Sequence, residues 1–371
     1  MDIMKKIIFH SPVNIFSKGS SGDRVRPGKM YEAFVGLGYD VILCHGESKE
    51  RRKVIKEILS SDVSQIAGIY SELSSKPIYF TDSDRMPRSL FLDFCFFKKL
   101  KKSGVPISFF YRDVHWLYEG ETSSPNSKLK RLINKLFHVV ELYQIKNLSS
   151  AFFVPSSKML HKIPSFLQPG NVHVLPPGCS VLKKSPTYEV EKNNRKLALF
   201  YVGGSLPPLY DLSLIFSALK GLRNCVLTLC VREREWDSNY YNVPDNVRVV
   251  HLFGEEMLNE MLSSDVLIMV YPPVEYRDFA VPVKLYEAMG CGLPVIVSSH
   301  GEAAEIVRKE GVGWVVDDLV QLKNLLLQLS GDIAFRDDMR DAVGRAAQKK
   351  QRRDFLFDRA QQRGIIYLLT A

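Results

Sequence analysis

Short β-rich apolar runs alternate with amphipathic helical stretches along almost the whole chain, and this alternation narrows the available folds more than any other feature. A strand followed by a helix and another strand closes most readily as a right-handed crossover onto a parallel sheet. In the first half, strands are expected at residues 6–9, 40–44, 77–81, 106–111, 151–154 and 172–175. Pro27 suits a first helical position, and Met30, Phe34 and Leu37 continue a helical stripe that Gly38 ends. A long helix is expected over 126–148. The stretch KKSPTYEVEKNNRK, residues 183–196, has few apolar residues and no period, and reads as a linker. Beyond it the pattern restarts. Strands are expected at 197–202, 226–231, 247–252, 266–270, 294–297 and 314–316, with helices at 212–222, 255–263, 283–291 and 302–309. The charged tail from Asp332 reads as helix packed on the outside.

The expected architecture is therefore α/β, with two Rossmann-like domains whose parallel sheets face each other across a cleft. The boundaries are 1–182 and 183–350, with residues 351–371 forming a helix that returns to the N-terminal domain. A length of 371 residues, 46 % of them hydrophobic, gives each domain enough material for its own core. Ligands of such sheets bind beyond the carboxyl ends of the strands, so residues just after strands matter most.

No apolar run approaches the ~20 residues of a membrane span, and MDIMKKIIFHSPV reads as a first strand rather than a signal peptide. Cys44, Cys95, Cys179, Cys225, Cys230 and Cys291 are scattered without a CxxC pair, which suits a reducing cytoplasm and neither a disulfide framework nor a zinc site. The net charge of +9 points to an anionic partner: nucleic acid, an acidic membrane surface or a phosphorylated substrate.

The most informative segment is VPVKLYEAMGCGLPVIVSSHGEAAEIV, residues 281–307. Pro282 suits the first helical turn, and Lys284 and Glu287, with Leu285 between them, sit three apart on one helix face. A helix N-terminus and an ammonium could hold a diphosphate while the carboxylate accepts ribose hydroxyls. The alternative is an ordinary surface ion pair. The segment resembles the donor-binding signature of GT-B-fold glycosyltransferases, particularly the family 4-like group (glycosyl transferases group 1). That pattern stands here as Pro282, Lys284, Glu287, Ala288, Gly290, Gly292, Pro294 and Val295, followed by Gly301 and Glu305. FYVGGSLPPLYD resembles the first strand and glycine turn of the nucleotide-binding domain, with Gly203 and Gly204 letting the backbone approach a phosphate. VREREW places Arg232 near the diphosphate by the same resemblance, and VHVLPPGCS and AFFVPSSKM resemble the close of the N-terminal domain. Many members carry a second glutamate seven residues before the one matched by Glu287; here that position is Phe279, with Glu275 and Asp278 nearby.

In the N-terminal half, the loop after the first strand offers Gly19 and Ser20 to the donor phosphates or the acceptor, with Arg24 and Arg26 supplying charge. It lacks the GxGxxG of a dinucleotide site. FFYRDVHWLYEG delivers Arg112, Asp113 and His115 at a strand's carboxyl end beside Trp116 and Tyr118. Asp113 could act as general base toward an acceptor hydroxyl, with Arg112 and His115 positioning the sugar; alternatively Asp113 caps a turn and pairs with Arg112. Residues 127–148 combine Lys128, Lys130, Arg131 and Lys135 with a stripe of Leu129, Leu132, Ile133, Leu136 and Val140. This helix is expected to pack by that stripe on its own domain, or else to rest on an anionic leaflet.

The resemblance implies transfer of a sugar from a nucleoside-diphosphate sugar, UDP above all, to a glycan or lipid-linked acceptor in cell-surface polysaccharide or glycoconjugate synthesis. It also implies no cofactor, no metal and no nucleic-acid partner, in the cytoplasm or at the inner face of the membrane. Two other readings stay open: a basic nucleic-acid-binding protein, and a non-catalytic GT-B-like subunit that activates a partner enzyme.

Overall fold

The computed structural model describes residues 6–16, 22–118, 128–178, 182, 196–237 and 240–348. The chain forms two compact units, one built on Met1–Pro176 and one spanning Pro177–Leu356. Most of the 183–196 stretch and all of 351–371 lie outside the described residues.

The first unit holds strands β1 (Lys6–Ser11), β2 (Asp40–His45), β3 (Ile66–Glu72), β4 (Ile107–Phe110), β5 (Ala151–Val154) and β6 (Val172–Val174). They form one parallel sheet in the order β2-β1-β3-β4-β5-β6. Helices α1 (Gly22–Gly36), α2 (Ser48–Ser60), α3 (Leu92–Lys102), α4 (Lys128–Leu148) and α5 (Ser157–Lys162) connect and cover it. Strand order reverses at β1, which pairs with both β2 and β3, so the crevice of this sheet opens between the ends of β1 and β3.

The second unit holds β7 (Leu197–Gly203), β8 (Cys225–Val231), β9 (Val247–Val250), β10 (Val266–Met269), β11 (Val295–Ser298) and β12 (Gly313–Val316). Its sheet is also parallel, in the order β12-β11-β10-β7-β8-β9, the doubly wound arrangement of dinucleotide-binding folds. Its helices are α6 (Ser213–Leu219), α7 (Gly254–Ser263), α8 (Glu275–Phe279), α9 (Val283–Gly290), α10 (Gly301–Glu310) and α11 (Leu319–Gly331), with residues 333–348 also helical. The crevice here lies between the ends of β7 and β10.

Helices cover both faces of each sheet, which is why the strands read as unbroken apolar runs. Every residue of β4, β5, β10 and β11 is buried. Around Phe9 the first core packs Tyr31, Phe34 and Tyr70 at ring separations of 5.9, 6.1 and 5.6 Å. Buried charge also anchors that unit. Arg51 of α2 grips Asp93 of α3 through two hydrogen bonds of 2.8 and 2.9 Å, and His10 of β1 meets the same carboxylate at 3.0 Å. Burial opposes ionisation of Asp93, but the Arg51 guanidinium and the His10 bond outweigh it and hold the carboxyl well below its ordinary range. Removing one partner would strand a buried charge, at a cost of about 3–5 kcal/mol.

Two sequence expectations change. Residues 77–81 are not a strand: Ile78–Phe80 form a single 3-10 turn, and the strand is β3 instead. Pro77 has no N–H to give a ladder, and Ile78 donates its N–H to the Glu141 carboxylate at 2.8 Å rather than to a neighbouring strand. The first helix starts at Gly22, so Pro27 lies inside it, and Leu37 falls beyond its end and is exposed. Helices α2, α3, α5, α8 and α11 add to those expected. Cys44, Cys95, Cys225 and Cys230 are free thiols, and burial pushes Cys44 up to about 12; Cys291 is buried, and Cys179 is outside the described residues. Among the described residues no helix is long and apolar enough to cross a membrane.

Candidate functional site

In the second unit, Pro282 is the N-cap of α9, with φ −78° and ψ 115°, and it makes no side-chain cap. The first N–H groups of a helix have no partner within it, so the start of α9 is electropositive. Lys284 and Glu287 form an ion pair, Nζ to Oε2 at 2.7 Å, with the two side chains 24 % and 21 % exposed. Lys284 also donates to Met257 Sδ of α7 at 3.4 Å. The pair is therefore held against α7 rather than waving in solvent, yet both charges can be reached. Between them, Leu285 has its side chain fully buried in the core and its N–H bonded to the Pro282 carbonyl at 3.1 Å, so it anchors the start of the helix.

Gly203 ends β7 beside the crevice and Gly204 follows it. A Cβ at Gly204 would lie 2.6 Å from the Tyr210 ring, and one at Gly203 would lie 3.0 Å from the Tyr201 hydroxyl. The space left by these glycines is thus filled by the protein's own aromatic side chains. Across the crevice, Tyr271 follows β10 and is locked by Ser298 of β11, whose hydroxyl lies 2.7 Å from the Tyr271 N–H and 2.8 Å from its carbonyl. The Arg277 guanidinium of α8 lies 3.6 Å from the Tyr271 ring centre and 4.8 Å from that of Tyr210, and donates to the Leu209 carbonyl at 3.1 Å. Gly301, with φ +81°, starts α10 against the Arg277 carbonyl, where a Cβ would meet the oxygen at 2.5 Å. Arg232 follows β8 but is bound to Glu235 at 2.5 Å and is 46 % exposed. Sequence reading passed over Arg277, Tyr271 and Tyr210. The signal was present, since all three fall in segments just after β7 or β10. Phe279, at the place of the missing glutamate, is buried and packs edge-on to Tyr276 at 5.4 Å.

In the first unit, Glu72 ends β3 fully buried. It accepts from Arg26 Nε at 2.9 Å, from the Tyr70 hydroxyl at 2.6 Å and from Arg112 at 3.4 Å. Arg26 also lies 3.7 Å over the Phe110 ring. Burial works against the Arg26 charge, but Glu72 outweighs it and raises the guanidinium pKa. Arg112 thus reaches Glu72, and Asp113 accepts the His115 N–H at 3.0 Å in the turn-capping role weighed as its alternative. His115 packs edge-on to His138 at 5.8 Å, and Trp116 stacks on His138 at 5.1 Å while donating to the Tyr111 hydroxyl at 3.0 Å. Burial raises the carboxyl of Glu141, in the same cluster, to about 8. The structure gathers Arg112, Asp113 and His115 on one turn after β4, with Glu72 as an unanticipated carboxylate beside them. Gly19 and Ser20 lie outside the described residues.

Residues 197–332 match the family model described as glycosyl transferases group 1. Among solved structures, sucrose-phosphate synthase from Thermosynechococcus elongatus aligns with a TM-score of 0.66 at 15 % identity over 98 % of both chains. WaaG, a glycosyltransferase involved in lipopolysaccharide biosynthesis, aligns with a TM-score of 0.60 at 15 % identity over 92 % of this chain and 95 % of its own. Anabaena HepE, solved with UDP and glucose, gives 0.59 at 14 % identity over 98 % of this chain and all of its own. No curated protein sequence matches the chain significantly. The matched segment takes in the whole second sheet and the Pro282–Glu287 helix start, and the neighbours share the two-unit α/β fold: the chain has the GT-B fold, and residues 197–332 of its second unit are similar to the glycosyl transferases group 1 family.

Proposed function

We propose that the chain transfers a sugar from a UDP-sugar to a hydroxyl of a glycan or lipid-linked acceptor, in the synthesis of a polysaccharide or glycoconjugate. The observation that carries the reading is the Lys284–Glu287 pair, half-buried at the start of α9 and within the group 1 segment. Glu287 would accept ribose hydroxyls, while Lys284 and the α9 N-terminus would hold the diphosphate. Arg277 and the backbone of Gly203 and Gly204 sit where the same crevice opens. UDP is the preferred nucleotide because the aligned HepE structure holds it. In transfer, the bond from the sugar's anomeric carbon to the diphosphate breaks and a bond to the acceptor oxygen forms. The acceptor proton leaves to a base, for which Asp113 is our candidate. The leaving UDP takes the electron pair and is stabilised by these cations, so we propose that no metal is required.

Thermal shift with UDP, in buffer containing EDTA, tests the donor site. Wild type should be stabilised, while Glu287→Ala and Lys284→Ala should lose most of the shift. Asp113→Asn should keep it but lose about 10²–10⁴ in transfer rate. No shift with UDP in the wild type, or a shift that EDTA abolishes, overturns the corresponding part of the reading.

A further inference from the structure

Helix α4 carries its apolar stripe on the wrong side for a core. The residues it buries are His138, Glu141, Leu142 and Ile145. Leu129, Leu132 and Leu136 are 66 %, 65 % and 58 % exposed, and Ile133, Val140 and Tyr143 are exposed with them. At ~100° per residue the centres of these two sets lie roughly 180° apart on the helix. The stripe expected to pack on the domain therefore faces directly away from it. Six large apolar side chains along one helix face form a continuous patch, which on a protein surface marks something that covers it.

Charge decides what that is. Residues 128–140 contain Lys128, Lys130, Arg131 and Lys135 and no Asp or Glu; the three lysines flank the stripe rather than interrupt it, while Arg131 lies toward the opposite face. At the far end Lys146 bonds the carbonyl of Phe166, whose own side chain is 67 % exposed. Two copies meeting symmetrically across this face would set like charges against each other. An anionic bilayer offers acyl chains to the stripe and phosphates to its flanks. We infer that α4 is an interfacial helix that docks the first unit onto an anionic lipid surface, with Leu129, Leu132, Leu136 and Val140 inserted below the headgroups. This does not rest on the donor reading.

Flotation of the full chain with two vesicle preparations tests it: phosphatidylcholine alone, and phosphatidylcholine mixed with phosphatidylglycerol. Wild type should float with the anionic vesicles, bind neutral ones about tenfold or more weakly, and lose binding as salt rises. Leu132→Ser/Leu136→Ser and Lys128→Glu/Lys135→Glu should each weaken binding to anionic vesicles by about tenfold or more. All four side chains are exposed, so both variants should keep the wild-type circular dichroism and melting temperature. Failure of wild type to float overturns the inference, as does unchanged flotation of either variant. A dimer in light scattering that the leucine variant converts to monomer, without flotation of wild type, would assign the face to a second copy instead.

Discussion

Glu141 is an acid placed where its charge is least welcome. It is fully buried on the inner face of α4, accepts the Ile78 N–H at 2.8 Å, and lies 3.7 Å from His138 Nδ1. Burial raises its carboxyl to about 8 from an ordinary value near 4.5. A folded-state pKa above the unfolded one means that the folded chain holds its proton more tightly. The group's contribution is thus fully favourable below about pH 4.5 and is lost as pH rises toward 8. Glu141→Gln keeps an acceptor for Ile78 and cannot ionise. Its unfolding free energy should stay near wild type at pH 5 and exceed it at pH 8 by on the order of 3 kcal/mol. Denaturant unfolding at the two pH values measures this, and a variant less stable than wild type at pH 8 would be the contrary result. Sequence reading had no access to this residue, because an acid on a charged helix is ordinarily solvent-facing. Lys284 and Glu287 were legible because helical spacing alone fixes that they share a face. The burial of Leu285 between them was not legible, because a motif shows spacing and not exposure.

At the scale of elements, legibility followed how local the signal was. AFFV, VLIM and VIVS declare buried parallel strands through unbroken apolar runs, and each forms one. IAGIYSE did not, since Gly68 breaks its run and Ser71 and Glu72 make its end polar, yet it is a central strand of its sheet. Helix α4 was found from its period, but a period cannot say which way the stripe points. Only the packing of His138 and Glu141 shows that. The edge strand β12 carries a similar non-local constraint. Gly313 pairs with Val295 in β11, and a Cβ there would lie 1.9 Å from the Val295 carbonyl oxygen. Gly313→Ala must force β12 away from β11 and should lower stability by about 2–3 kcal/mol. Gly344, in the 333–348 helix, has no atom within 4 Å of a built Cβ, so Gly344→Ala should instead raise stability by about 0.5–1 kcal/mol. Chemical denaturation of the two variants separates a steric glycine from a merely flexible one, and equal effects would contradict the assignment.

For the whole molecule, the second unit closes its own six-stranded sheet and core, and the side chains proposed to hold UDP, Lys284, Glu287 and Arg277, all belong to it. The doubly wound order puts the crevice between β7 and β10, the arrangement expected from strands that restart after the polar 183–196 stretch. Ligand that binds only the folded form stabilises it by about 2.7 kcal/mol at a hundredfold excess over Kd, which slows amides that exchange through unfolding by roughly a hundredfold. Hydrogen exchange with and without saturating UDP should therefore show strong slowing in β7, β8, β10 and β11, greatest near 203–204 and 282–287. The strands β1, β3 and β4 of the first sheet serve as the internal reference, because their stability draws on contacts such as Phe9–Tyr70 and Arg51–Asp93, where no donor group is proposed. Glu287→Ala should abolish the slowing in the second sheet and leave the reference strands unaltered. Slowing confined to the first sheet would move the nucleotide away from α9 and leave the Lys284–Glu287 bridge as a structural ion pair.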